Sequence, residues 1–254
     1  MEPTITGPNR TGAAINPEGI ASMLEAVNEL SPPMPISTLN MDVERQRYIA
    51  EAESVGSIPP PQSVLKSTVA RIKGVTAAAA MGILLDKLGE RLAFERAGTR
   101  LYSALITKYL ALSNADSAPL PPDARSEPAI DTLTRIRMQE LEHFQMLSKC
   151  IETLGGDPTA QTPCADVTGT ASIGLLQVVT DPRTTFAQSL NAVLTAELTD
   201  NAGWELLTEL ATLAGQSELA ESFSEALAVE EEHLEIVKGW LRTLVTTSPG
   251  TPAV

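Results

Sequence analysis

The sequence has 254 residues and sets 18 Lys and Arg against 32 Asp and Glu, a formal net charge of −14. At 43% hydrophobic and 20% charged it has the composition of a folded globular chain, long enough for one or two domains. The acidic balance excludes phosphate-driven nucleic-acid binding, and 4% aromatics leave the core to Leu, Ala, Ile and Val, a helix-leaning set.

Two cysteines, Cys150 and Cys164, are too few for a disulfide framework and lack Cys-x-x-Cys spacing. No basic stretch followed by an apolar one opens the sequence. The longest apolar run, Val75 to Leu85, falls well short of the roughly 20 residues a membrane span needs. The expectation is a soluble, cytoplasmic protein with neither a nucleic-acid nor a membrane partner.

Residues 1 to about 40 are rich in Pro, Gly, Asn, Ser and Thr without sustained periodicity, and read as a flexible arm with a short helix at EGIASMLEAV. Segments 41–56 and 63–74 each have the pattern of an amphipathic helix and carry no chemical motif. Residues 1–77 thus read as an N-terminal extension, 78–247 as the main domain and 248–254 as a flexible tail.

Four long helical patterns follow. The first, about 79–112, has the seam Met81, Leu85, Leu88, Leu92, Glu95, Thr99, Tyr102, Ile106, Tyr109, alternating steps of four and three as an inward-facing stripe does. The second, about 128–154, begins at Pro128, ends at Gly155-Gly156 and has the seam Leu133, Ile136, Glu140, His143, Leu147, Cys150, Leu154. The third takes Asp181 as N-cap and Pro182 as first residue, with the seam Phe186, Leu190, Val193, Glu197, Asp200, Trp204, Leu207, Ala211 and a stop at Gly215. The fourth follows Ser217 as cap, with the seam Leu219, Phe223, Ala226, Glu230, His233, Val237, Trp240, Leu244.

The first two helices and the last two can each form an antiparallel hairpin. The connection 155–181 is long enough to run the length of a bundle, and IGLLQVV within it reads as a short helix. The expected fold is all-α: two helical hairpins joined by a long crossover in a four-helix bundle.

Each seam is broken near its middle by an acid: Glu95, Glu140, Glu197 and Glu230. His143 and His233, the two histidines of the chain, each lie three residues after a seam glutamate, so each Glu-x-x-His presents both side chains on one face. From Glu95 to the turn is about 18 residues and from the turn to Glu140 about 13, roughly 27 and 20 Å. The other hairpin has comparable arms, so the four acids can meet at mid-height. Tyr102 and Trp204 each follow a lone glutamate by seven residues, which makes the hairpins a pseudo-twofold repeat.

Four carboxylates in a low-dielectric core repel one another and lose hydration, at a cost of several kcal/mol each. Two divalent cations cancel that charge. Imidazole nitrogen with carboxylate oxygen suits iron or manganese, and no thiolate holds a ligand position on the seam, which weakens the case for zinc.

These residues resemble the di-iron carboxylate ferritin-like superfamily, which includes ferritins, bacterioferritins and rubrerythrins, over about residues 79–246. The resemblance implies a ferritin-like bundle with two Fe ions, or alternatively two Mn ions. In it Glu140 and Glu230 bridge the metals, Glu95 and Glu197 are terminal ligands, and His143 and His233 take one metal each. It also implies a homo-oligomer and an oxidoreductase that reacts with dioxygen or hydrogen peroxide, as ferroxidase or peroxidase. The Cys-x-x-Cys pairs of a rubredoxin-like site are absent, so an electron donor would be external. Non-enzymatic iron sequestration and a structural or cargo role are the alternatives.

Asp200, one turn past Glu197, is open between accepting a hydrogen bond from a ligand imidazole, acting as an extra ligand, and lying at the rim. For Tyr102 and Trp204 core packing is favoured over a redox role beside the metals. Glu90, Glu142, Glu231 and Glu232 fall off the seam and read as solvated. Cys150 reads as a small buried apolar residue and Cys164 as a loop cysteine.

Overall fold

A computed structural model describes residues 17–31, 38–52, 75–115 and 119–247. The chain divides into two compact units, Met1–Ser54 and Val55–Val254. The first contains α1 (Pro17–Leu30), which buries none of its residues, and α2 (Thr38–Glu51). These two helices meet the expectations for EGIASMLEAV and, in part, for segment 41–56. The helix expected over 63–74 and the tail 248–254 lie outside the described residues.

The second unit contains α3 (Val75–Ala115), α4 (Ala129–Thr153), α5 (Pro163–Thr180), α6 (Phe186–Leu213) and α7 (Ser217–Thr247). Among the described residues there is no strand, and a single bridge joins Ala124 to Glu127. The all-helical expectation therefore holds. No described helix is long and apolar enough to cross a membrane.

Two apolar clusters fix the directions of the helices. Leu84, Leu88, Leu147, Ile151, Leu207 and Phe223 share one cluster. Leu101, Leu105, Leu133, Ile136, Leu190, Val193, Val237 and Leu244 share the other. Along the sequence α3 and α7 run from the first cluster to the second, while α4 and α6 run from the second to the first. Hence α3 is antiparallel to α4 and to α6, and α7 is antiparallel to α4 and α6. Both hairpins form as the seams predict, each long apolar stripe burying against its neighbours. Removing one of these fully buried leucines to Ala costs about 2–5 kcal/mol.

α4 and α6 close in the same way. The N–H groups of Gly156 and Gly155 bond to the carbonyls of Ile151 and Glu152, and those of Gln216 and Gly215 to Ala211 and Thr212. Gly155 and Gly215 have φ of 81° and 73°, the left-handed conformation this ending requires. Both glycine stops read from the sequence are therefore in place.

The crossover differs from its expectation. It is one 18-residue helix, α5, and IGLLQVV is only its last part. Pro163 is its first residue, and Thr162 caps it by accepting from the Ala165 N–H at 3.1 Å. The Thr162 hydroxyl also donates to the Asp86 carbonyl at 3.1 Å, and the Asp86 carboxylate accepts the Cys164 N–H at 3.0 Å, which pins the start of α5 to α3. Cys164 is thus a first-turn helical residue rather than a loop cysteine. Cys150 is buried in the apolar cluster as expected.

The start of α6 is corrected as well. Asp181 is the C-cap of α5, and its carboxylate accepts from the Arg183 backbone and guanidinium. The helix begins at Phe186, where Thr185 and Gln188 form a reciprocal capping box. That box satisfies two orphan N–H groups, whereas the Asp181 oxygen already engaged by Arg183 is free to cap nothing. Ser217, read as a cap, is the first residue of α7 itself.

Candidate metal centre

Between the two apolar clusters lies a layer of buried polar side chains. Glu95, Glu140, Glu197, Asp200, Glu230, His143 and His233 are all buried, each at most 7% exposed. All six expected ligands converge in this layer. Donor atoms of Glu140, Glu197, Glu230 and His233 lie within 4.8 Å of one another, as do those of Glu95, His143 and Glu230. A further set of the same reach joins Glu95, Glu140, Asp200 and Glu230. Glu230 belongs to every set, and Glu140 to two of them.

The lone glutamates are held across the pseudo-twofold. Tyr102 on α3 donates its hydroxyl to Glu197 on α6, and Trp204 on α6 donates its indole N–H to Glu95 on α3 at 3.0 Å. Each aromatic thus follows one glutamate by seven residues and orients the other. Their role is both packing and fixing a carboxylate.

The histidines take different partners. His233 Nδ1 lies 2.8 Å from Glu230 Oε2 and 3.7 Å from Glu140 Oε1. Its Nε2 lies 3.0 Å from the Gln139 side-chain amide, which holds the ring in place. Its Nδ1 faces the carboxylates and is within hydrogen-bond distance of Glu230. His143 Nδ1 lies 2.6 Å from Glu230 Oε1 without hydrogen-bond geometry, and its ring stacks edge-on against Trp204 at 5.4 Å.

Sequence reasoning missed Arg91. It is 3% exposed and stacks over the Phe94 ring at 4.2 Å. Its Nη1 lies 2.8 Å from Asp200 Oδ1, and its Nε lies 3.5 Å from Glu95 Oε1. Asp200 is therefore a buried ion-pair partner of Arg91, away from the rim, that also lies within ligand reach of Glu95, Glu140 and Glu230. Gln139 and Asn201 were missed too. The Asn201 amide donates to the carbonyls of Glu197 at 2.9 Å and Glu230 at 3.1 Å, tying α6 to α7 at the height of the acids. The off-seam reading stands: Glu142 and Glu231 are exposed, and half-buried Glu90 and Glu232 pair with Lys87 and with Arg125 and Arg135.

Burial, with the charges of Asp200, Glu140 and Glu230, holds the Glu95 carboxyl well above the usual range. Glu140 and Glu230 are raised well above it for the same reasons, burial first. Burial also pushes Glu197 up to about 7. Burial lowers His143 to about 4, so its imidazole is neutral and its lone pair is available. For His233 burial works downward, but the hydrogen bond to Glu140 and the charges of Glu197 and Glu140 outweigh it and raise the pKa.

The donor set fits a pair of divalent cations. Among the described residues the buried side-chain atoms without a hydrogen-bond partner include Glu95 Oε2, His143 Nδ1, Glu197 Oε2 and Glu230 Oε1, one from each of four expected ligands. Buried polar atoms are seldom left so, and here they share one space. Five carboxylates and the Arg91 guanidinium sum to a formal −4, which two divalent ions bring to zero. Oxygen and imidazole donors without sulfur suit a divalent transition metal.

The comparisons with known proteins assign nothing. No family model, curated protein or solved structure matches the chain. The case for the centre rests on its geometry.

Gly98 is part of that geometry. A Cβ at this position would stand 1.9 Å from Glu140 Oε2, so the α3 backbone makes room for the carboxylate. Gly98→Ala is expected to push Glu140 aside and weaken metal binding by about tenfold or more while helicity is retained, measured by metal titration beside circular dichroism.

Proposed function

We propose that the chain is a ferritin-like di-metal carboxylate protein, an oxidoreductase that turns over dioxygen or hydrogen peroxide at two iron ions, with manganese as the alternative metal. The observation that carries this reading is the pair of donor sets sharing Glu230, built from two Glu-x-x-His motifs on α4 and α7 and a lone glutamate on each of α3 and α6. The order of the helices and the full-length crossover support the ferritin-like topology.

A bound iron pair would supply the electrons that a small oxidant accepts. Glu140 and Glu230 would be shared between the ions, Glu95 and Glu197 would be terminal, and His143 and His233 would face one ion each. The protein's own contribution is orientation and shielding. Tyr102 and Trp204 fix the terminal carboxylates, Gln139 fixes the His233 ring, and apolar clusters on both sides keep the layer out of bulk water.

Sequestration of iron is the second reading, favoured by the formal charge of −14 and by a surface hollow whose lining includes Asn201, Glu205, Glu231 and Glu235. Mixing the Fe(II)-loaded chain with peroxide or dioxygen, with excess reductant present, separates the two. The enzyme reading expects many oxidant molecules consumed per chain, whereas sequestration expects consumption to stop once the bound iron is oxidised. An iron-loaded chain inert to both oxidants would contradict the redox assignment.

A further inference from the structure

The hairpin repeat is exact in the ligands and broken around them. A shift of 102 residues carries Glu95 and Tyr102 onto Glu197 and Trp204, and a shift of 90 carries Glu140 and His143 onto Glu230 and His233. Under the same shifts Arg91 falls on Val193, Gly98 on Asp200 and Gln139 on Val229. Three polar groups thus have apolar counterparts across the pseudo-axis, and all three adjoin the centre.

The consequences fall unequally on the two donor sets. The set around His233 has four members, and its imidazole is locked by Gln139. Glu197 keeps Oε2 free of any hydrogen bond while Tyr102 holds the other oxygen. The set around His143 has three members. Val229 carries no side-chain acceptor for the His143 ring, which packs edge-on against Trp204. Glu95 likewise keeps Oε2 free while Trp204 holds Oε1, but here the Arg91 guanidinium stands 3.5 Å away, a fixed positive charge where a second cation must come. Asp200 is within reach of Glu95 and Glu230 as well, but its Oδ1 is paired with Arg91 at 2.8 Å.

We infer that the two metal positions are unequal by construction: the Glu140–Glu197–Glu230–His233 position fills first and holds its ion, and the Glu95–His143–Glu230 position fills second and exchanges. This rests on the metal reading proposed above. Gln139 is a positioning residue for the tight position. Arg91 with Asp200 sets the weakness of the other.

Titration of the metal-free full chain with Mn(II), followed by electron paramagnetic resonance, tests this without reference to activity. The expected result is one equivalent bound as an isolated ion before the second begins, with the second at least about tenfold weaker. His143→Ala keeps the tight equivalent, and His233→Ala keeps only a weak one. Gln139→Leu loosens the tight step by about 10–100-fold and leaves the weak step in place, and Gln139→Glu restores it. General destabilisation would loosen both steps together. Two equivalents of equal affinity, or loss of the tight equivalent in His143→Ala, would overturn the inference while the metal reading stands. No Mn(II) bound by the wild-type chain at all would overturn both.

Discussion

Glu230→Gln is expected to cost the chain both metal ions and, in the metal-free state at neutral pH, to make it more stable. The side chain supplies donors to both sets, with one oxygen near each histidine: Oε1 lies 2.6 Å from His143 Nδ1 and Oε2 lies 2.8 Å from His233 Nδ1. A neutral amide of the same shape cannot balance cationic charge, so each position should weaken by at least about 100-fold. The same change removes a buried carboxylate whose pKa is held well above normal by burial and by Asp200 and Glu197. Replacing a carboxyl that the fold must keep protonated at neutral pH should return about 1–3 kcal/mol of stability to the metal-free protein. Metal titration and chemical denaturation of the two proteins check both halves. A variant that still binds two ions would show that Glu230 is not shared. A metal-free variant less stable than wild type would show that its carboxylate is stabilised rather than merely tolerated.

The second large effect is a divergence of metal-free and metal-loaded stability as pH rises. Glu197 in the folded chain is pushed up to about 7 against an ordinary 4.5, and Glu95, Glu140 and Glu230 are raised well above it in the same direction. Between those values the folded chain holds more protons than the unfolded one. Stability is therefore full below about 4.5 and lost as pH climbs through the folded values, about 3 kcal/mol for Glu197 alone. His233, also raised, has the same sign. His143, lowered to about 4, works the other way between 4 and 6.5, but it is one group against five. Metal replaces the protons, so the loaded protein should gain where the metal-free one loses. Melting curves of both forms from pH 4.5 to 7.5 test this, and parallel curves would mean that the acids are solvated.

The ligand set was legible because it lies in phase with strong apolar seams, where an acid or an imidazole has no other reason to be. The hairpins and their glycine stops were legible for the same reason of period and cap. The crossover helix was not. Its sequence TGTASIG has no apolar stripe and includes Gly169 and Gly174, so periodicity is silent, although Thr162-Pro163 is a cap followed by a first-turn proline. Asp181-Pro182 carries the same local signal and misled, since the rigid pair Thr185 and Gln188 lies just beyond it. Arg91 was visible in principle, one turn before Glu95 on the same face. What hid it is that its partner Asp200 is 109 residues away, and that Gly203, whose Cβ would stand 1.9 Å from Nη1, leaves space no sequence pattern advertises. Gln139 lies beside the seam, and only the packing of α4 against α7 brings it to His233.

The central claim is that this buried acid and imidazole layer exists to hold two transition-metal ions. Elemental analysis of the matured protein, purified without chelator, tests it most directly. The account predicts about two iron or manganese ions per chain, lost together in Glu230→Gln. A folded wild-type chain with no bound transition metal, and none taken up from added Fe(II) or Mn(II), would contradict it.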